Sequence, residues 1–297
     1  MSKSFQMLAA PHTPFHPNGD LHLEIVARQA DHFRANAIDG GFVCGTTGEG
    51  LSLTNAERKS VAEAWMHVAG SDLKIIIHAG HNCQRDAVDL SAHAKSIGAH
   101  GVAAVAPHFL KPKTPADLVA FFAPIAAACD PLPFYFYDLP SLTNVMISAA
   151  KIIQSAKLLI PNFGGIKYTN ADCITLQECL AFEGIEVYFG VDELLLAGLA
   201  LGVRCAVGST YNFTSNLHRK IIAAYESNEM QLAQTLQRKS VAMIRVLENH
   251  GGMVRAGKAT MAKLGIDCGP TRWPLAPMEP DEMKVLHAEL EKLEIGI

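Results

Sequence analysis

The chain has 297 residues, 49% hydrophobic and 18% charged, and its 25 basic and 29 acidic side chains leave a net charge of −4. This composition excludes intrinsic disorder and offers no basic surface for nucleic acid, and apolar runs such as KIIIHAG and LAGLALGV fall far short of a bilayer span. The opening MSKSFQMLAAPHTPF lacks the basic-then-apolar layout of a secretory signal, so the chain reads as soluble and cytoplasmic, with neither membrane nor nucleic acid as a partner.

From residue 6 to residue 210, short segments rich in β-branched, aromatic and small apolar residues recur: QMLAAPH, GGFVCG, KIIIHAG, GVAAVAP, PFYFYDL, FGGIKYT, VYFGVDE and CAVGST. Most are separated by patterns of helical period. In TNAERKSVAEAWMHVAG, Val61, Ala64, Trp65 and Val68 fall on one face while Glu57, Arg58, Lys59 and Glu63 point elsewhere, and Thr54 with Glu57 makes a capping box. Strand then helix, eight times over, predicts an α/β fold whose parallel sheet is buried on both faces. Eight such units suffice to close a (β/α)8 TIM barrel, and a doubly wound open sheet is the competing arrangement. From about Asn216 onward the pattern is almost wholly helical, as in MQLAQTLQRKSVAMIRVLENH and EPDEMKVLHAELEKLE. The expected organisation is a barrel over 1–215 and a C-terminal helical extension over 216–297, packed together as a single structural unit with no Pro/Ser-rich linker between them.

In a closed parallel barrel the strand C-termini and the loops after them build the active site, which selects GTTGEG, YDLP, IKYT, GVDE and GSTYN. GTTGEG, residues 45–50, sets Thr46 and Thr47 in a glycine-flanked turn where hydroxyls and backbone N–H groups can converge on an anion such as a carboxylate. A tight structural turn explains the same residues equally well, and the Gly-Lys-Ser/Thr ending of a Walker loop is missing. Tyr137 can exchange a proton with a substrate hydroxyl, whereas Tyr135 reads as a core aromatic. Asp192 and Glu193 fit a paired acid and base, or acceptors for a polyhydroxylated ligand, and Glu193 also suits the opening of the next helix. FGGIKYT places Lys167 among apolar neighbours with no evident counter-charge. Such a lysine either snorkels from the strand tip into water or is desolvated enough to lose basicity and attack ketones.

Seven cysteines, with no C-x-x-C pair, indicate neither a disulfide framework nor a zinc cage. His78, His81 and Cys83 lie close together in HAGHNC, but a strand end followed by a turn accounts for them and no matching carboxylate is evident, so no metal is predicted.

GTTGEG, the YDLP that contains Tyr137, GIKYT around Lys167, FGVDE and AVGSTYN, in this order along a (β/α)8 pattern, together resemble the dihydrodipicolinate synthase/N-acetylneuraminate lyase family. The resemblance runs from TPF at Thr13 to the C-terminal helices and falls on the lyase side of the family. Leu142 stands where synthases usually carry an arginine for a second carboxylate. Phe109, in PHFLKP, stands where synthases donate a second tyrosine across a subunit contact. The resemblance implies a class I aldolase that cleaves N-acetylneuraminate reversibly to N-acetylmannosamine and pyruvate. A related pyruvate-dependent enzyme, such as a 2-keto-3-deoxy sugar-acid aldolase or dihydrodipicolinate synthase, is the alternative, and a non-catalytic binding barrel is disfavoured by the joint presence of Lys167, Tyr137 and both threonines.

The same resemblance implies the roles of single residues. Lys167 would form a Schiff base with the C2 ketone of the open-chain substrate, and Tyr137 would manage the proton on its C4 hydroxyl. Thr46 and Thr47 would hold its carboxylate, and Thr169, Gly190, Asp192, Glu193 and Ser209 would line the pocket for sugar hydroxyls. No cofactor or metal is implied beyond the covalent imine, and the implied assembly is a homotetramer.

Overall fold

The computed structural model describes residues 5–297. Its core is a closed barrel of eight parallel strands in chain order: β1 Gln6–Ala9, β2 Gly40–Val43, β3 Lys74–His78, β4 Gly101–Val105, β5 Phe134–Asp138, β6 Phe163–Tyr168, β7 Glu186–Phe189 and β8 Cys205–Gly208. Closure is made by β1 against β8, from Gln6↔Cys205 to Ala9↔Gly208. The strands read as nearly continuous apolar runs because successive side chains face opposite sides and both sides are covered. On β5, Phe134 and Phe136 pack outward under the helices, while Tyr135 and Tyr137 point into the barrel with Leu8, Phe42, Ile76 and Tyr188. Register puts Lys167 beside Tyr137 on one flank and Tyr188 on the other.

The helix Asn55–Ala69 begins with the expected capping box, Thr54 Oγ1 accepting the Glu57 N–H and Glu57 accepting the Thr54 N–H. Arg58 departs from its expected outward position. It is buried, and its guanidinium donates to the carbonyls of His78 (2.6 Å) and Gly80 (3.0 Å). Carbonyls at a strand end under a helix need donors, and Arg58 supplies them from its long side chain.

The helix after β8, Tyr211–Glu226, straddles residues 215 and 216, and the helices Met230–Asn249, Gly252–Lys263 and Pro280–Glu291 follow it. They enclose a core of their own that includes Met243, Leu247, Met261 and Leu286, with Phe213 and Ile25 joining it to the barrel. Among the described residues no helix is long and apolar enough to cross a membrane.

Candidate active site

Lys167 lies on the inner face of β6, 5% exposed, so its ammonium does not snorkel to water. Its Nζ stands 4.0 Å from the centre of the Phe42 ring and 4.2 Å from that of Tyr137. Burial lowers its pKa to about 7, opposed by the nearby charge of Asp192. Asp192 is thus the counter-charge that the local sequence does not reveal. His78, on the same inner face, is neutral: Nδ1–H donates to Cys44 O (3.0 Å), Nε2 accepts the Val105 N–H (3.2 Å), and burial, Arg58 and Lys167 all oppose its protonation.

The turn after β2 brings both threonines to the lysine's cavity. Thr46 Oγ1 shares a hydrogen bond with the Tyr137 hydroxyl (3.2 Å), and Thr47 Oγ1 shares one with Ser209 Oγ (2.5 Å). The turn closes on itself through Glu49 N–H to Thr46 O and Gly50 N–H to Gly45 O. Among the described residues nothing accepts the N–H groups of Thr46, Thr47 and Gly48, which leaves hydroxyls and amides available to an anion. Burial pushes the Tyr137 phenol up to about 12, and the Thr46 hydroxyl eases it back.

Asp192 follows β7 and is buried. Its Oδ2 accepts from the Thr210 N–H (3.0 Å) and hydroxyl (2.6 Å), while Oδ1 has no hydrogen-bond partner among the described residues. Two glycines make room for this arrangement. A Cβ on Gly208 would sit 1.9 Å from Asp192 Oδ1, and one on Gly190 would sit 2.3 Å from Thr169 Oγ1. The Thr169 hydroxyl lies near enough to the Tyr137 phenol to ease its pKa down, yet makes no hydrogen bond of good geometry. Glu193 is half-buried, and burial raises its pKa.

Every residue singled out for substrate or chemistry, namely Thr46, Thr47, Tyr137, Lys167, Thr169, Gly190, Asp192, Glu193 and Ser209, lines one cavity of about 450 Å³. That volume suits a small molecule. Sequence reasoning missed its far wall, where the extension contributes Ile244, Glu248, Gly252, Met253 and Val254. It also missed Asp138, which sits on the outer face of β5 directly after Tyr137. There burial raises its carboxyl to about 7, and Oδ2 has no partner among the described residues. Leu142, 64% exposed, stands at the cavity rim.

In the HAGHNC segment, His78 has both ring nitrogens engaged and is closed to a metal. His81 and Cys83 instead meet Asp86, the carboxylate the sequence reading lacked, with one donor atom from each within 4.8 Å of the others. This surface set contributes nothing to the lining of the lysine cavity, and His81 Nδ1 already accepts the Cys83 N–H at 2.9 Å.

Fold and site together define a (β/α)8 protein built around a desolvated amine at the C-terminal rim of its barrel. The chain belongs to the dihydrodipicolinate synthetase family, whose pattern matches residues 3–293. It is 35% identical over 294 residues to N-acetylneuraminate lyase from Homo sapiens, covering 97% of this chain and 92% of that protein. Among solved structures, N-acetylneuraminate lyase from Proteus mirabilis superposes with a TM-score of 0.95 at 35% identity, over 99% of this chain and 100% of that one. The lyase from Aliivibrio salmonicida superposes with a TM-score of 0.95 at 34% identity, over 99% and 98%.

Proposed function

We propose that this protein is an N-acetylneuraminate lyase, a class I aldolase that cleaves N-acetylneuraminate reversibly to N-acetylmannosamine and pyruvate. The observation that carries the reading is Lys167, an amine with a pKa of about 7 facing a cavity lined by hydroxyls and carboxylates. An ordinary lysine, with a pKa of ~10.4, is neutral in about one molecule in 2,500 at pH 7, whereas here about half are neutral.

The neutral amine adds to the C2 ketone of the open-chain sugar acid, and loss of water leaves a protonated imine. The substrate carboxylate, held by Thr46, Thr47 and the free amides of their turn, keeps that imine cationic. Its positive charge at the face of Tyr137 in turn favours the phenolate, so the phenol can take the C4 hydroxyl proton as its own proton passes on toward the carboxylate. The C3–C4 bond then breaks, and its electron pair moves into the imine to give an enamine. N-Acetylmannosamine leaves as the aldehyde, and protonation at C3 followed by hydrolysis returns pyruvate and the free amine. No cofactor or metal takes part. The unpartnered Asp192 Oδ1, with Glu193 and Thr169, supplies acceptors for the sugar hydroxyls.

Leu142 supports the lyase branch over a synthase, because a second carboxylate there would be left without a cation. Initial rates of pyruvate release from N-acetylneuraminate and from 2-keto-3-deoxygluconate, beside a synthase assay with pyruvate and aspartate semialdehyde, test the assignment. N-Acetylneuraminate should be the best substrate, and clear superiority of either alternative would move the chain to another branch. We further infer that residues 1–215 and 216–297 work as one unit, in a cytoplasmic homotetramer. Exposed Phe109 and Leu110 are apolar surface of the kind that subunit contacts cover, and sedimentation at four times the 32.0 kDa chain mass is the expected result.

A further inference from the structure

Beneath the threonine turn lies a set of buried charges that none of the steps above uses. Glu49 closes the turn with φ +53°, in the left-handed region that favours glycine or asparagine. A glutamate persists in that conformation when its surroundings fix it. Its carboxylate lies 2.8 Å from the Lys258 ammonium, with both side chains 3% exposed, and its Oε2 accepts the Arg272 N–H at 2.8 Å. Lys258 also donates to Pro270 O at 2.7 Å and stands over the Phe15 ring. Two neighbours lie beneath the same turn. Thr13 Oγ1 donates to Gly48 O at 2.6 Å, and His12, kept neutral by burial and by the Lys258 charge, faces the Thr47 carbonyl. Lys258 belongs to the helix Gly252–Lys263, whose first turn lines the lysine cavity. One buried ion pair therefore joins two walls of the site, the turn carrying Thr46 and Thr47 and the helix facing it.

We propose that Glu49 and Lys258 are a positioning pair for the substrate carboxylate, pinning the Thr46–Thr47 turn so that its hydroxyls and free amides stay aimed into the cavity. This rests on the reading of those threonines as the carboxylate cradle. A turn whose closing residue sits at positive φ swings when its side-chain pin is lost, and the amides swing with it. The pair neutralises itself, so its contribution is geometric and not a field acting on the anion.

The test titrates pyruvate in borohydride trapping on the full chain, with hydroxyacetone as a ketone lacking the carboxylate, and follows amide exchange in residues 45–50 by mass spectrometry. Glu49→Gln and Lys258→Met should each raise half-saturating pyruvate about tenfold or more and speed exchange locally at 45–50. Maximal trapping and the hydroxyacetone reaction should stay within about twofold. Combining the two changes removes the same pin, so half-saturation in the double variant should stay within about threefold of the larger single effect. Unchanged half-saturation in the folded single variants, parallel losses for both ketones, or additive effects in the double variant would overturn the proposal. So would opposite effects of the two single changes, the signature of a field. Should Lys258→Met not fold, Lys258→Arg keeps the charge and moves the donor, and the same rise is expected. If the parent traps neither ketone, the imine reading fails, and local exchange at 45–50 still supports or overturns the pair.

Discussion

The two ends of the barrel interior are built from the same strands, two residues apart, and treat their polar atoms in opposite ways. At the N-terminal end Tyr135, Glu186 and Tyr188 meet Lys74 and Gln6 in a closed network. Lys74 Nζ donates to Glu186 (3.0 Å) and Tyr188 (2.6 Å), Tyr135 donates to Glu186 (2.5 Å), and Tyr188 to Gln6 (2.6 Å). At the C-terminal end β5 continues to Tyr137, β6 places Lys167, and β7 runs out to Asp192. There, buried acceptors such as Asp192 Oδ1 have no partner among the described residues. A polar layer that serves stability satisfies itself, whereas one that serves a ligand leaves places for it. The chemistry of the side chains is similar at both ends, and what distinguishes them is which groups are complete.

The comparison sharpens most at Tyr137. Tyr137→Phe should keep imine formation and lower cleavage of N-acetylneuraminate by on the order of 10²–10⁴-fold, the usual worth of a positioned proton-transfer group. Turnover at the parent rate would make Tyr137 a structural residue, as Tyr135 is. Asp192→Asn should cost less, about 10–100-fold in kcat/KM for the polyhydroxylated substrate, because a site built to accept hydroxyl protons loses one acceptor. It should also shift the pH midpoint of pyruvate trapping downward, since the charge that raises the Lys167 pKa is gone. An unmoved midpoint would separate Asp192 from the lysine. Lys74→Met at the opposite end should have the smallest effect. The Lys74–Glu186 pair is partly open to solvent, so a loss of about 1 kcal/mol is expected, with a fall in Tm of about 2 °C. KM and kcat should be unaltered, and a change in KM at unchanged stability would deny the division of labour between the two ends.

The strands and the rim were legible in the sequence because their signals are local. A run such as KIIIH or FYFYD, short and rich in β-branched or aromatic residues, marks a covered strand, and the rule that strand C-termini carry function selects YDLP, IKYT and GVDE. Groups whose meaning depends on a distant partner were not legible. Arg58 lies on the polar side of its helix pattern, yet its guanidinium reaches two carbonyls at the C-terminal end of β3, those of His78 and Gly80. Glu49 stood inside GTTGEG, but its partner Lys258 sits in a helix far along the chain, where a lysine ordinarily faces solvent. Asp138 follows Tyr137 and points away from it by strand alternation, into a layer where burial raises its pKa and the distant Asn170 eases it back. The apolar setting of Lys167 was visible, but Asp192 could not be assigned as its counter-charge without the barrel closing around both.

The central claim, that burial makes Lys167 a neutral nucleophile near physiological pH, is tested most directly by the pH dependence of pyruvate trapping with borohydride, with the modified peptide mapped. Only the unprotonated amine attacks. With a pKa of about 7, the initial rate should therefore fall about tenfold per pH unit below the midpoint and reach a plateau above about pH 8, with the added mass on Lys167. A rate still climbing tenfold per unit up to about pH 10, as an ordinary lysine would give, or an adduct on another lysine, would contradict the account.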